Sequence, residues 1–159
     1  EGEGFWLPVD ASRENDINWI SNSYLKRKLK SYAAKNVLII ADSCFSGSLT
    51  RDIKIVDIKD TEKDTLKLFM QTKSRVAISS GGNEPVFDGG GDGFSLFAKI
   101  FISHLENYNQ SFTAMDLYAK LRPDVVDLSM TKGNPQTPYY GELIDAGHEG
   151  PDFVFVKKD

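Results

Sequence analysis

The chain has 159 residues, 40% of them hydrophobic and 26% charged, which is the balance of a water-soluble domain able to bury a core. A formal charge of -4 and a pI near 5.2 give no electrostatic footprint for nucleic acid, and no apolar run or secretory signal points to a membrane. The single cysteine rules out an internal disulfide and suits a reducing, cytoplasmic setting.

Residues 1–20 read as loop and short strand, punctuated by Pro8 and Asp10. Ser21 or Ser23 is expected to cap a helix running to about Ala34, with Tyr24, Leu25, Leu29 and Tyr32 as its buried face. Lys26, Arg27, Lys28 and Lys30 then form its solvated face. Val37-Leu38-Ile39-Ile40-Ala41 is a continuous apolar run, the pattern of a core strand covered on both sides by helices in a parallel sheet.

Asp42-Ser43-Cys44-Phe45-Ser46-Gly47 follows at once, so the cysteine is delivered to the end of that strand and onto a Gly-ended turn. An open α/β sheet carries its chemistry at this end, and the placement marks Cys44 as a nucleophile. Asp42 stands two residues earlier, about 6–7 Å along an extended chain and on the same side. A carboxylate at that range disfavours the thiolate, the reactive form of cysteine, so Asp42 should serve another purpose. The simplest is to hold a cationic group of a substrate.

From Thr50 to Lys73 the sequence is an exposed, charged linker with one helix, and Ile53-Lys54-Ile55-Val56 allows a short strand. Arg75 to Ser79 makes the next strand. The Gly-rich stretch Gly81 to Gly93 leads into a helix expected from about Gly93 to Tyr108. On it Phe94, Phe97, Phe101, Leu105 and Tyr108 recur at helical spacing as core. Thr113 and Asp116 make a capping box, with Phe112 and Leu117 as its hydrophobic staple. Pro123 is expected to end or kink that helix, and Phe153 to Val156 to close as a final strand. No internal repeat or low-complexity segment is present.

Asp42-Ser43-Cys44-Phe45-Ser46-Gly47 resembles the nucleophile motif of caspase-like cysteine peptidases, the group of metacaspases and their bacterial relatives. The likeness continues through Val76-Ala77-Ile78-Ser79-Ser80-Gly81-Gly82-Asn83-Glu84-Pro85-Val86-Phe87-Asp88 and on to Ser95. It takes in Gln136-Thr137-Pro138-Tyr139-Tyr140 and Ala146 to Val156 as well.

The resemblance implies a three-layer sandwich, a mostly parallel central sheet flanked by helices, of which this chain is the C-terminal part. About 1–50 would carry the nucleophile, about 51–74 would be an exposed processing region, and about 75–159 would be the small-subunit-like part. It also implies cleavage of protein or peptide substrates after Arg or Lys, with Cys44 as nucleophile and Asp42 lining the pocket for the basic side chain. Ser79 and Ser80 would wall that pocket and pair with the substrate backbone, and Asp88 would add negative potential.

In the family the general base is a His in a Gly-His-Gly motif preceding a stretch that Gly4-Phe5-Trp6-Leu7-Pro8-Val9-Asp10-Ala11 matches. The base is therefore expected on an N-terminal segment of the same domain. Self-cleavage at basic sites between Arg51 and Lys73 would be a natural activation step.

Other chemistry is weaker. His104, at the edge of an aromatic stripe, reads as a structural histidine, and His148 in its Gly-flanked turn as a base only in a papain-like or acyl-transfer scheme. Glu84, Asp88 and Asp92 raise a calcium site but match no EF-hand spacing, so no cofactor is expected. Gly89-Gly90-Gly91-Asp92-Gly93 lacks the ending of a phosphate-binding loop. A rival function is a caspase-like peptide-binding module in which the catalytic pair is never assembled.

Overall fold

The computed structural model describes residues 3–44, 49–52, 63–81 and 93–157, with the backbone alone for Cys44, Asp52 and Lys63. Strand β1 (Phe5–Trp6) pairs antiparallel with β2 (Ile20–Ser21) and leads into helix α1 (Asn22–Ser31). Trp6 Nε1 donates to Asn22 Oδ1 at 3.0 Å, tying this ribbon to the start of the helix. Ser21 is the cap, its hydroxyl accepting the Tyr24 N–H at 3.1 Å, while Ser23 is held by the Glu3 carboxylate. The helix stops at Ser31 rather than near Ala34, and its buried face is narrower than the sequence suggests. Leu29 is buried and Leu25 packs beside it, whereas Tyr32 falls at the C-cap and Tyr24 lies outward under Lys28, both exposed.

The main sheet has the order β3 (Asn36–Cys44), β5 (Ser74–Gly81), β7 (Tyr139–Leu143), β4 (Thr50–Asp52). Only β3 and β5 run parallel; β7 is antiparallel to both β5 and β4. The fold is thus α/β with a mixed sheet among the described residues, not the mostly parallel sheet expected. The unforeseen strand β7 is the cause, because Tyr139-Tyr140-Gly141-Glu142-Leu143 carries no clean alternation to announce it.

A second correction concerns which strand is central. Every residue of β5 is buried, while β3 is an edge strand among the described residues, with Ile40 43% exposed. An apolar run favours strand formation, but its burial depends on what lies on either side.

Alternating side chains of β5 enter two cores. Val76 and Ile78, with Tyr140, pack under Phe97 and Ile100 of α3 (Leu96–Glu106) and Leu117, Leu121 and Val125 of α4 (Ala114–Thr131). Ala77, with Ala41 and Leu143, meets Leu29 of α1, Leu49 and Ala146 on the other face. Helices therefore flank the sheet on both sides.

Helix α3 begins after its cap Ser95, which accepts the Ala98 N–H at 2.9 Å. Phe94 precedes the cap and is exposed, a correction to its place in the core. Phe101 and Tyr108 do pack on the core, but Leu105 is largely exposed, being rotated off the stripe set by Leu96, Phe97 and Ile100. The Thr113–Asp116 capping box forms as expected, and Phe112 and Leu117 are buried in one cluster.

Helix α4 runs on through Pro123 to Thr131 instead of ending there. Pro123 and Ala119, whose carbonyl loses its usual donor, both lie on the exposed face, where water can serve that carbonyl. The final strand, β8 (Val154–Phe155), pairs with β6 (Phe112–Thr113) in a separate ribbon away from the main sheet. In the stretch Thr50 to Lys73, expected as an exposed linker with one helix, Thr50 is buried in β4 and α2 (Lys63–Gln71) is the one helix among the described residues. Ile53 to Val56 lies outside the described residues. No described helix is long and apolar enough to cross a membrane.

Candidate active site

Parallel pairing brings the C-terminal ends of β3 and β5 together, with Ala41 opposite Ser79 and Cys44 opposite Gly81. Three steps along β3 match two along β5, so the register shifts across Asp42 and Ser43 as in a β-bulge. A bulge re-aims the side chains around it. The unbroken two-residue alternation expected to bring Asp42 and Cys44 to one side is therefore not the local geometry. Asp42 is exposed and makes no hydrogen bond or ion pair among the described residues. The Cys44 backbone stands at the sheet end where α/β proteins carry chemistry; its side chain and Phe45 to Ser48 lie outside the described residues.

Ser79 and Ser80, expected to wall the substrate pocket, are fully buried. The central position of β5 is the reason: Ser79 faces Ala41 of β3 on one side and Tyr139 of β7 on the other. The Ser79 hydroxyl donates to the Gly81 carbonyl at 3.0 Å, and the Ser80 carbonyl accepts from Gln136 Nε2 at 2.7 Å. Ser80 Oγ and Gln136 Oε1 are buried without a partner. Asp88, with Glu84 and Asp92, lies outside the described residues, and so does the calcium question. The described residues hold no group of three or more metal-ligating side chains.

Neither histidine is brought to Cys44. His104 on α3 pairs through Nε2 with Asp124 Oδ2 of α4 at 2.6 Å, in a groove of about 530 Å3 floored by Leu96, Ile100 and Leu128. His148 Nδ1 accepts the Arg75 N–H at 3.1 Å, so its proton sits on Nε2, 3.7 Å from Glu142 Oε2. Burial holds its pKa below the usual histidine value, against the pull of Glu142. Arg75 and Gly81 are six steps apart on β5, about 20 Å at the rise of a strand, so His148 occupies the end opposite Cys44.

That opposite end carries a residue to which the sequence reading gave no role. The Arg75 side chain is 0% exposed, and its guanidinium donates to the carbonyls of Leu29, Tyr32, Ala34, Lys35 and Ser74 at 2.6–3.4 Å. It gathers carbonyls from the last turn of α1, from the segment that follows the helix and from Ser74, and so ties α1 to the start of β5. Burial lowers its pKa, with Glu149 opposing. A charged residue at the head of Val76-Ala77-Ile78 was the signal that could have found it. Asp152 is a second such residue: it accepts from Tyr140 Oη at 2.5 Å and from the Met115 N–H at 2.7 Å, joining β7 to the start of α4. Burial raises the pKa of both partners.

Comparisons with protein-family models, curated proteins and solved structures find no match to this chain.

Proposed function

We propose that the chain is the nucleophile-bearing part of a caspase-like cysteine endopeptidase that cleaves after Arg or Lys. The observation that carries it is the delivery of Cys44 by a parallel strand to its C-terminal end, across a register shift at which Asp42 is exposed and without a partner among the described residues. In this scheme Cys44 Sγ attacks the scissile carbonyl and forms a tetrahedral oxyanion. The amine leaves with a proton from an imidazole, and water then cleaves the thioester to regenerate the thiol. Asp42 holds the guanidinium or ammonium of the substrate, a charge-assisted contact that strengthens as water is excluded.

The imidazole is assigned to a preceding segment of the same domain, and the free edge of β3 among the described residues supports a strand joining there. The three-layer caspase-like arrangement, a cytoplasmic setting and self-cleavage between Arg51 and Lys73 belong to the same proposal. A thiol-reactive peptide ending in Arg tests it, offered with and without the preceding segment. Labelling of Cys44 only in the reconstituted protein, absent in Cys44→Ala and weaker for a peptide ending in Asp, is the expected result. Equal labelling by the Asp peptide sinks the assignment of Asp42.

One observation favours a second reading, a peptide-binding module that does not cut. Both histidines of the chain are engaged elsewhere, His104 with Asp124 and His148 with Arg75 and Glu142. Under that reading the reconstituted protein retains an Arg peptide without turnover.

A further inference from the structure

We infer that Gln136 is a positioning residue for the Cys44 end of the sheet, bracing the last residues of β5 through its side-chain amide; the inference rests on Cys44 being the working residue. In-register pairing of β5 with β7 ends at Ser79 and Tyr139, while pairing with β3 continues to Gly81 opposite Cys44. Ser80 and Gly81 thus run past the end of β7. There the Gln136 side chain takes up the strand's place, its Nε2 donating to the Ser80 carbonyl at 2.7 Å from a position 2% exposed.

Gln136 is itself immobilised. Its N–H donates to Ser129 Oγ at 2.9 Å, and that hydroxyl shares its proton between the carbonyls of Val126 at 2.9 Å and Gln136 at 3.3 Å. The last turns of α4 are linked in this way to the strand terminus beside Cys44. An apolar side chain of the same size would fill the space without leaving Gln136 Oε1 buried and unpaired. What the amide contributes is therefore the bond to Ser80. A displaced Ser80 carbonyl moves Gly81, and with it the backbone that Cys44 pairs against.

The test uses the 159-residue chain and the rate of Cys44 alkylation by iodoacetamide across pH, in wild type, Gln136→Met and Ile100→Val. Ile100→Val trims the distant α3 core and serves as a stability control. At least a fivefold change in the thiolate rate for Gln136→Met, with the control within twofold, is expected. Rates unchanged in Gln136→Met, or changed equally in the control, overturn the inference. Should Gln136→Met fail to fold, Ser129→Ala frees the Gln136 backbone while sparing its side chain, and a change in the thiolate rate beyond the twofold range of the control is then required, an unchanged rate overturning the inference. Iodoacetamide needs neither substrate nor preceding segment. Failure of the Arg probe on the reconstituted wild type therefore counts against the peptidase, while the alkylation rates decide Gln136.

Discussion

At its Ser74 end, strand β5 is tied into the protein by the Arg75 guanidinium on five carbonyls and by its own N–H on His148. At its Gly81 end, by contrast, the neighbouring strand β7 has already stopped and the Gln136 side-chain amide stands in for it, while each end buries side-chain oxygens without a partner, Ser74 Oγ and Asn36 Oδ1 at the first, Ser80 Oγ and Gln136 Oε1 at the second. The difference separates two tasks carried by one strand. The bonds far from Cys44 hold α1, β5 and the 144–149 turn together. Near it, the Ser80 carbonyl rests on a single side-chain amide from the segment before β7.

The contrast breaks most decisively at Arg75. Arg75→Met should remove five guanidinium hydrogen bonds at once and cost about 3–5 kcal/mol, read as a lowered urea midpoint. Arg75→Lys should recover little of it, because a compact ammonium with three donors cannot reproduce a planar fork.

Next in size is Gly141, which lies between β5 and β4 in the sheet. A Cβ there would stand 2.5 Å from the Arg51 carbonyl oxygen, so Gly141→Ala should destabilise by about 1–3 kcal/mol in the same assay.

A smaller effect follows from His148. Its pKa is lowered in the folded protein, so below about pH 6.5 the unfolded chain binds the extra proton more readily. The stabilisation is complete above that pH and is lost as pH falls through the histidine range, with a slope of at most about 1.4 kcal/mol per pH unit. His148→Asn keeps an acceptor for the Arg75 N–H but cannot titrate there. Urea midpoints of this variant from pH 8 to pH 5 should be flatter than those of wild type, and parallel curves would remove His148 from the account.

The smallest change is expected at the other end of the strand. Ser80→Ala removes a buried hydroxyl that bonds nothing, so its unfolding free energy should match wild type within about 0.5 kcal/mol or exceed it. A loss above about 1 kcal/mol would mean that the Ser80 hydroxyl is bonded in the folded protein.

Much of the local architecture is legible along the chain. Ser21 and the Thr113–Asp116 box start their helices where side-chain oxygens can meet free N–H groups, and the runs 37–41 and 75–79 lie within β3 and β5. Such features depend on residues a few positions apart. The place of Cys44 at a strand end is of this kind as well, which is why the candidate site could be named at all.

What tertiary structure alone decided depends on partners distant in sequence. It made β5 central and left β3 at an edge, inserted Tyr139–Leu143 as an antiparallel strand, and carried α4 through Pro123. It buried a guanidinium among carbonyls from the end of α1 and the segment after it, 40 to 46 residues away, and set Gln136 against Ser80, 56 residues away. Propensity and periodicity register what a residue does to its own turn or pleat. Burial of a charge, the choice of neighbouring strand and the shift of one residue at Asp42 are settled only when remote surfaces meet and their polar groups must be paired.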